Sequence, residues 1–334
     1  MEENREETGE GHHHYVLTGD SYSLIAQWGN KNSFVVPSEQ WFQRNSELLR
    51  AELALALVHN DIIVDLFSYR HILNGMHDAI YKAYNHNPEI ELGSVVSLDR
   101  VYTMGLNWHH KECFMLEVNR AINMMGDNLE RTSRPGAPSL GEQFRELRSV
   151  LMSKKVIVVD DGIWTGRTMC IALEQLEQHK IHPAAVVVGV RRQNGCDEKL
   201  GNIFPNNMYE TELYEEGVRP ADEWVCARDF FPGVPNGGRT VIDSSIDPDL
   251  SVGAYYINRA EWLKEWASVD DPDGEFRKFC FERSLDLFKK IEEFSEKSVL
   301  IRDLARVPLF VIEAQGRSED RFRDLLQAKI ESFV

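Results

Sequence analysis

Residues 156–190 leave this chain little freedom of fold. Val156-Ile157-Val158-Val159 is a run of four β-branched residues, the pattern of a strand buried on both faces. Met169, Ala172, Leu173 and Leu176 then recur at i, i+3, i+4 and i+7, which is the apolar stripe of an amphipathic helix. A second buried-strand run covers 184–190. Strand, helix and strand with short joints make a βαβ unit, and such a crossover lays the second strand parallel to the first. The expected class is therefore α/β, a parallel sheet flanked by helices that binds ligands beyond the carboxyl ends of its strands.

The rest of the chain fits around that unit. Pro37-Ser38 opens a run rich in Glu, Leu and Ala that predicts a helix to about residue 58. A strand is expected over 61–67, a helix over 76–84, a β-like piece over 94–104, and helices over 112–125 and 143–152. Residues 15–36 mix β-formers with Gly and Asn and read as short strands or a hairpin. Residues 126–141 read as a loop long enough to be a lid or a disordered insert. Periodicity is weak over 193–256. From 258 onward helical patterns return, with Phe276, Phe279, Cys280, Leu287, Ile291 and Phe294 on one face and Phe322, Leu325, Leu326, Ile330 and Phe333 on another. The expected organisation is a mobile tail over 1–14, an α/β domain with insertions over 15–257, and an α-helical C-terminal region over 258–334 packed on it.

Charge narrows the function. The 334 residues carry 37 Lys plus Arg against 54 Asp plus Glu, a net charge of −17. Such a chain is repelled by nucleic-acid backbones and anionic lipid unless a local patch reverses the field, so general nucleic-acid binding is not expected. The 5 Cys show no framework spacing, which suits reduced thiols. No apolar run approaches the roughly 20 residues needed to span a bilayer, and the acidic start lacks the apolar stretch of a signal peptide. A cytoplasmic location is the expectation. His12-His13-His14 is a poor cage on a mobile tail, and His109, His110 and Cys113 lack a fourth ligand at metal-binding spacing.

Specific chemistry concentrates in residues 156–168. The strand delivers Asp160 and Asp161 to the carboxyl end of the sheet, where they suit sugar hydroxyls. Thr165-Gly166-Arg167-Thr168 then turns into the helix, with free N–H groups at its N-terminus, hydroxyl donors, and a glycine that allows close approach. A Walker A loop is excluded, since 162–168 is one residue short and has Arg167 in place of Lys. A receiver domain is excluded by the lack of a later strand ending in a phospho-acceptor Asp.

The segment resembles the phosphoribosyl-pyrophosphate (PRPP) motif of type I phosphoribosyltransferases: four apolar residues, two acids, three further positions, then Thr-Gly-x-Thr. The resemblance covers a small part of the chain. It implies a phosphoribosyltransferase-like fold and a glycosyltransferase activity in nucleotide metabolism. Asp160 and Asp161 would hold the ribose and, indirectly, Mg²⁺, while Thr165, Gly166, Arg167 and Thr168 would bind the 5′-phosphate. The candidate for the family's pyrophosphate loop is Ser68-Tyr69-Arg70-His71, which lacks the expected glycines and also reads as a helix start. Arg131 and Arg134, before the motif strand, are further candidates for pyrophosphate contact. Two departures stand out. Gly162 replaces a β-branched residue, and Trp164 stands where 6-oxopurine salvage members carry a general-base Asp, a role an indole cannot fill. Trp164 is a candidate for base or pocket contact.

Residues 224–235, rich in aromatics, suit either an acceptor-recognising hood or simple packing, and Arg191-Arg192 ends a strand on the ligand side. The resemblance thus implies Mg-dependent transfer of phosphoribose from PRPP, or a related ribose 5-phosphate nucleotide, to or from an unidentified base. The alternative is a catalytically divergent effector or regulator of the same fold, as in bacterial phage defence. It would bind a nucleotide or a partner protein, with the C-terminal helices as the candidate docking surface and a homodimer as a candidate assembly.

Overall fold

The computed structural model describes residues 12–57, 62–91, 94–103, 113–134, 136–193, 200, 203–204, 206–215, 220–247 and 250–333. It is an α/β structure of three sheets. The central one contains β3 (Val95–Ser97), β4 (Phe114–Met115), β7 (Lys155–Ile163), β8 (His182–Gln193) and β9 (Met208–Glu215), in the order β4-β3-β7-β8-β9. All its pairings are parallel, as the βαβ argument requires. Both faces are covered. Ile157, Val159 and Val187 pack on one side against Ile72, Met76 and Ile80 of α3 (Tyr69–His86). On the other, Val156, Val158, Val186 and Val188 meet Phe144 and Leu147 of α4 (Leu140–Leu151) and Met169 and Leu176 of α5 (Arg167–Gln178). Burial on both faces is why the strand residues are apolar without alternation.

A second sheet lies beside it. In this sheet β1 (His13–Gly19) is sandwiched between β2 (Ile62–Ser68) and β10 (Ala221–Cys226), again all parallel. The crossover from β1 to β2 is made by α1 (Ser21–Asn32) and α2 (Glu39–Ala56). A third, mixed sheet runs β13-β12-β11-β5-β6, from β5 (Val118–Ile122), β6 (Asn128–Ser133), β11 (Arg239–Val241), β12 (Val252–Ala254) and β13 (Val307–Pro308). The C-terminal region is mainly helical: α6 (Ala260–Ala267), α7 (Glu275–Ser295), α8 (Leu309–Glu313) and α9 (Phe322–Glu331).

Several expectations are corrected. Residues 15–36 hold β1 and a helix, not a hairpin, because Leu24, Ile25 and Trp28 bury one face of α1. β1 begins at His13, inside the segment expected to be mobile, where Asp222 and Asp65 carboxylate oxygens accept from the His13 and His14 rings at 2.9 Å each. Residues 113–125 form β4 and β5 rather than a helix, since pairing with β3, β6 and β11 overrides local propensity. The expected loop at 126–141 contains β6, which returns along β5 as a hairpin partner. His109 and His110 lie outside the described residues. Phe294, placed on an apolar face from its spacing, is exposed. Among the described residues, no helix is long and apolar enough to cross a membrane.

The C-terminal elements share a core with the N-terminal sheet. Phe288 of α7 packs edge-on against Trp28 of α1, and the Trp28 indole donates to the Asp303 carbonyl at 2.7 Å. The Tyr15 hydroxyl of β1 donates to the Ala267 carbonyl at 2.6 Å. β13 also pairs with β12. Removing residues 258–334 would strip the apolar cover from β1 and α1 and expose a large hydrophobic surface. A 1–257 fragment is therefore expected to aggregate or to melt without cooperativity in a thermal scan. A soluble, cooperatively melting fragment would show instead that the two parts fold independently.

Candidate active site

The carboxyl ends of the central and second sheets converge on one cavity of about 460 Å³. Asp160 and Asp161 stand near the end of β7, and Asp99 follows β3. Asp20 follows β1, and Arg228 lies in a short 3-10 turn, Ala227–Asp229, directly after β10. This is the place where parallel sheets present ligand sites.

Arg228 organises the acids. Its guanidinium bonds to the Asp20 carboxylate through one nitrogen and to Asp161 Oδ2 through another at 2.9 Å. All three side chains are largely hidden from solvent, so removing the cation would leave two acids without their counter-ion. Burial pushes the Asp20 pKa up to about 7 against the opposing charge of Arg228. Burial, and then the charge of Asp161, push Asp99 up to about 6. Asp160 is raised well above the ordinary range by burial and then by Asp161 and Asp99. Its Oδ1 accepts the Asp161 backbone N–H at 3.0 Å, and Asp99 Oδ2 accepts the Tyr102 N–H at 2.6 Å. The site thus gathers more negative charge than Arg228 neutralises.

The turn into α5 behaves as the sequence implies. Gly166 caps the helix at φ 66°, a left-handed conformation that glycine adopts without strain, and no acidic residue occupies the first helical turn. The opening N–H groups of α5 lack intrahelical partners by geometry and border the cavity together with Thr165, Arg167 and Thr168.

Arginine is the commonest charged residue in the cavity lining. Arg120, Arg134, Arg167, Arg192, Arg228 and Arg239 line the cavity, against Asp160, Asp161, Glu223, Asp229 and Glu265. In a chain of net charge −17, this lining is nearly balanced in charge. Arg134, a sequence candidate, is held by the Val118 and Leu98 carbonyls at 3.1 and 2.9 Å and by Glu117 at 3.6 Å. Arg131, the other candidate on this side, donates to Thr168 Oγ1 at 3.0 Å. Arg70 is elsewhere. It forms a bidentate pair with Glu39 at 2.8 and 2.6 Å, and the Ser68 hydroxyl accepts the His71 N–H as a helix cap. Ser68 to His71 is thus the start of α3, not a loop around pyrophosphate, and Arg70 does not line the cavity.

The two departures from the motif have structural partners. A Cβ on Gly162 would sit 2.8 Å from the Trp224 ring and 2.9 Å from the Val190 carbonyl oxygen, so the missing side chain makes room for an indole from the second sheet. Trp164 lines the cavity with the Arg192 guanidinium over its ring, 5.0 Å from the centroid. Arg191 pairs with Glu210 at 3.2 Å. Within 224–235, Phe230, Phe231 and Val234 are core, while Trp224 and Arg228 face the site.

Among the described residues no three His, Cys, Asp or Glu side chains gather in a geometry that holds a metal ion. The Asp99–Asp160–Asp161 cluster nevertheless carries charge that a cation relieves. If a ligand carried Mg²⁺ into the cavity, Asp160 and Asp161 are the acids that would reach it, indirectly.

Sequence reasoning missed Asp20, Asp99, Arg120, Arg228, Arg239 and Trp266. An acid just beyond a strand is the signal that would have found Asp20 and Asp99. Arg120 and Arg239 lie on short strands of the mixed sheet and leave no such mark.

No known family profile matches the chain, and no curated protein does. Among solved structures, a hypothetical protein from Neisseria gonorrhoeae with bound ppGpp shows a slight likeness. It is 12% identical over 46% of this chain and 82% of that one, with a TM-score of 0.32. That score is too low to support an argument about fold or ligand.

Two outcomes follow from this geometry. Because the Asp99 pKa is raised above its unfolded value, folding takes up a proton between about pH 4 and 6. The stability this group contributes at low pH is lost as pH rises through 6. Asp99→Asn keeps an acceptor for Tyr102 and cannot titrate, so its urea midpoint should gain on the native protein between pH 4.5 and 7.5. A difference that does not change with pH would contradict the raised pKa. Gly162→Val should destabilise by about 1–3 kcal/mol through overpacking against Trp224 and the β8 backbone, read from the same urea curves.

Proposed function

We propose that the cavity binds PRPP or a related ribose 5-phosphate nucleotide within a phosphoribosyltransferase-like fold, and that the protein transfers phosphoribose to or from a base with Mg²⁺. One observation carries this reading. The acid pair at the end of β7 and the Gly166-capped start of α5 face the same arginine-rich cavity, a few residues apart on one turn. The acids are placed to accept from ribose hydroxyls, and the α5 N-terminus to receive the 5′-phosphate. In the transfer the bond from the ribose anomeric carbon to diphosphate breaks, diphosphate leaves with the electron pair, and a base nitrogen forms the new bond. The ribose becomes cation-like on the way, so orientation and stabilisation of departing negative charge supply most of the catalysis. Arg134, Arg167 and Arg192 are cavity-lining cations close in sequence to the motif strands.

A second reading has its own support. Asp161 is already bonded to Arg228, and Trp164 is already covered by Arg192, so both groups are engaged before any ligand arrives. A protein of this fold that binds its nucleotide without turnover, as an effector or regulator, suits that arrangement.

Thermal shift and diphosphate release separate the two readings. PRPP is expected to raise the melting temperature with Mg²⁺ and not with EDTA, since the acid cluster and diphosphate otherwise repel each other. Release of diphosphate over a panel of bases supports transfer, and Mg-dependent binding without release supports the effector. Trp164→Thr is expected to weaken binding by about 1–3 kcal/mol if the indole stacks on a base. Failure of any ribose 5-phosphate compound to bind would overturn both.

A further inference from the structure

The mixed sheet contributes a feature that the motif does not explain. Arg120 on β5, Arg131 on β6, Arg239 on β11 and Arg167 at the start of α5 lie close enough to perturb one another. Burial, followed by the charges of Arg120, Arg167 and Arg239, pulls the Arg131 pKa down to about 10. Arg120 and Arg131 are direct cross-strand partners, a like-charge pairing that destabilises a hairpin.

None of the four forms an ion pair with a carboxylate among the described residues, although the chain carries 54 acids. Arg239 is satisfied only in part. One nitrogen donates to Asn128 Oδ1 at 3.0 Å while the guanidinium lies 3.9 Å over the Trp266 ring. Three buried N–H donors here find no acceptor among the described residues: Arg131 Nε, Arg239 Nε and Trp266 Nε1. Unpaired donors beside unpaired cations mark a place for an acceptor-rich anion. The cluster begins at the phosphate turn itself, because Arg131 donates to Thr168 Oγ1 at 3.0 Å.

We propose that the α5 turn and these arginines form one continuous site for a diphosphate or longer phosphate chain on the ligand's 5′ carbon. The preferred ligand class is then a ribonucleoside 5′-di- or triphosphate, rather than a sugar with a single 5-phosphate. This deepens the reading of the cavity as a ribose 5-phosphate site and rests on it. A single phosphate satisfies the α5 N-terminus and leaves the arginines of the mixed sheet facing one another. A second phosphoryl group would meet Arg120, Arg167 and Arg239, which line the cavity beside Trp266, with Arg131 behind them on Thr168. The cavity, at about 460 Å³, falls in the range that encloses a nucleotide.

The test is titration calorimetry with Mg²⁺ on the full chain, using AMP, ADP, GMP, GDP, PRPP and inorganic diphosphate. Arg120 is exposed, so Arg120→Gln is expected to fold, and equal melting temperatures check this. The 5′-diphosphates should bind at least about tenfold more tightly than the matching monophosphates and than PRPP, as charge-assisted bonds to a second phosphoryl group imply. Arg120→Gln should narrow that gap and Arg120→Lys should restore part of it. If mono- and diphosphates bind alike, or PRPP binds tightest, and Arg120→Gln changes nothing, the extended site is wrong while the ribose 5-phosphate reading stands. If inorganic diphosphate alone binds, in an Arg120-dependent way, both readings fall.

Discussion

The Arg228 guanidinium is the fixed point around which the site is built. It joins Asp20 at the end of the second sheet to Asp161 at the end of the central one, residues separated by most of the distance from the N-terminus to the motif. Two sheets whose strands all end on one side would otherwise bring several carboxylates together without a cation. Desolvation makes each of those charges costly, and a single shared cation offsets part of that cost only if the geometry holds. The packing around it serves that end. Asp229, the next residue, accepts the Gly238 N–H at 2.7 Å, and the buried Arg306 donates to the Gly237 and Gly238 carbonyls. The C-terminal region thereby braces the turn that carries Arg228.

The same constraint explains why the central unit was legible and its surroundings were not. A strand buried on both faces announces itself by composition, and β7, α5 and β8 lie where the apolar runs and the helical stripe place them. The acid pair and the Thr-Gly-Arg-Thr turn follow from that strand by simple continuation. β4, β5 and β6 are different. They are two to six residues long, carry polar residues, and depend on partners such as β11, more than a hundred positions away. Residues 113–125 looked helical because local propensity was the only signal available, and long-range pairing decided otherwise.

Gly162 shows how a local departure acquires meaning only in three dimensions. Within the motif it reads as a weakening of the strand end. In the fold it is the hole that receives Trp224, and Trp224 stands four residues before Arg228. The glycine and the guanidinium therefore belong to one junction, in which the second sheet presses against β7 and sets the position of the cation that bonds Asp161. A β-branched residue at 162 would push the sheets apart at the point where that bond must form.

Charge distribution carries the argument one step further. The chain is strongly acidic, yet this cavity is lined by six arginines and five acids, with Arg228 and Asp161 already bonded to each other. Asp160 and Asp161 lie at the end of the central sheet, whereas Arg120 and Arg239 come from the mixed sheet across the opening. The carboxylates of the lining can accept from hydroxyls, and its arginines can donate to phosphate oxygens. On the proposed reading, a molecule that is a sugar at one end and an anion at the other would engage both sets of groups at once, whereas free phosphate would engage the arginines alone.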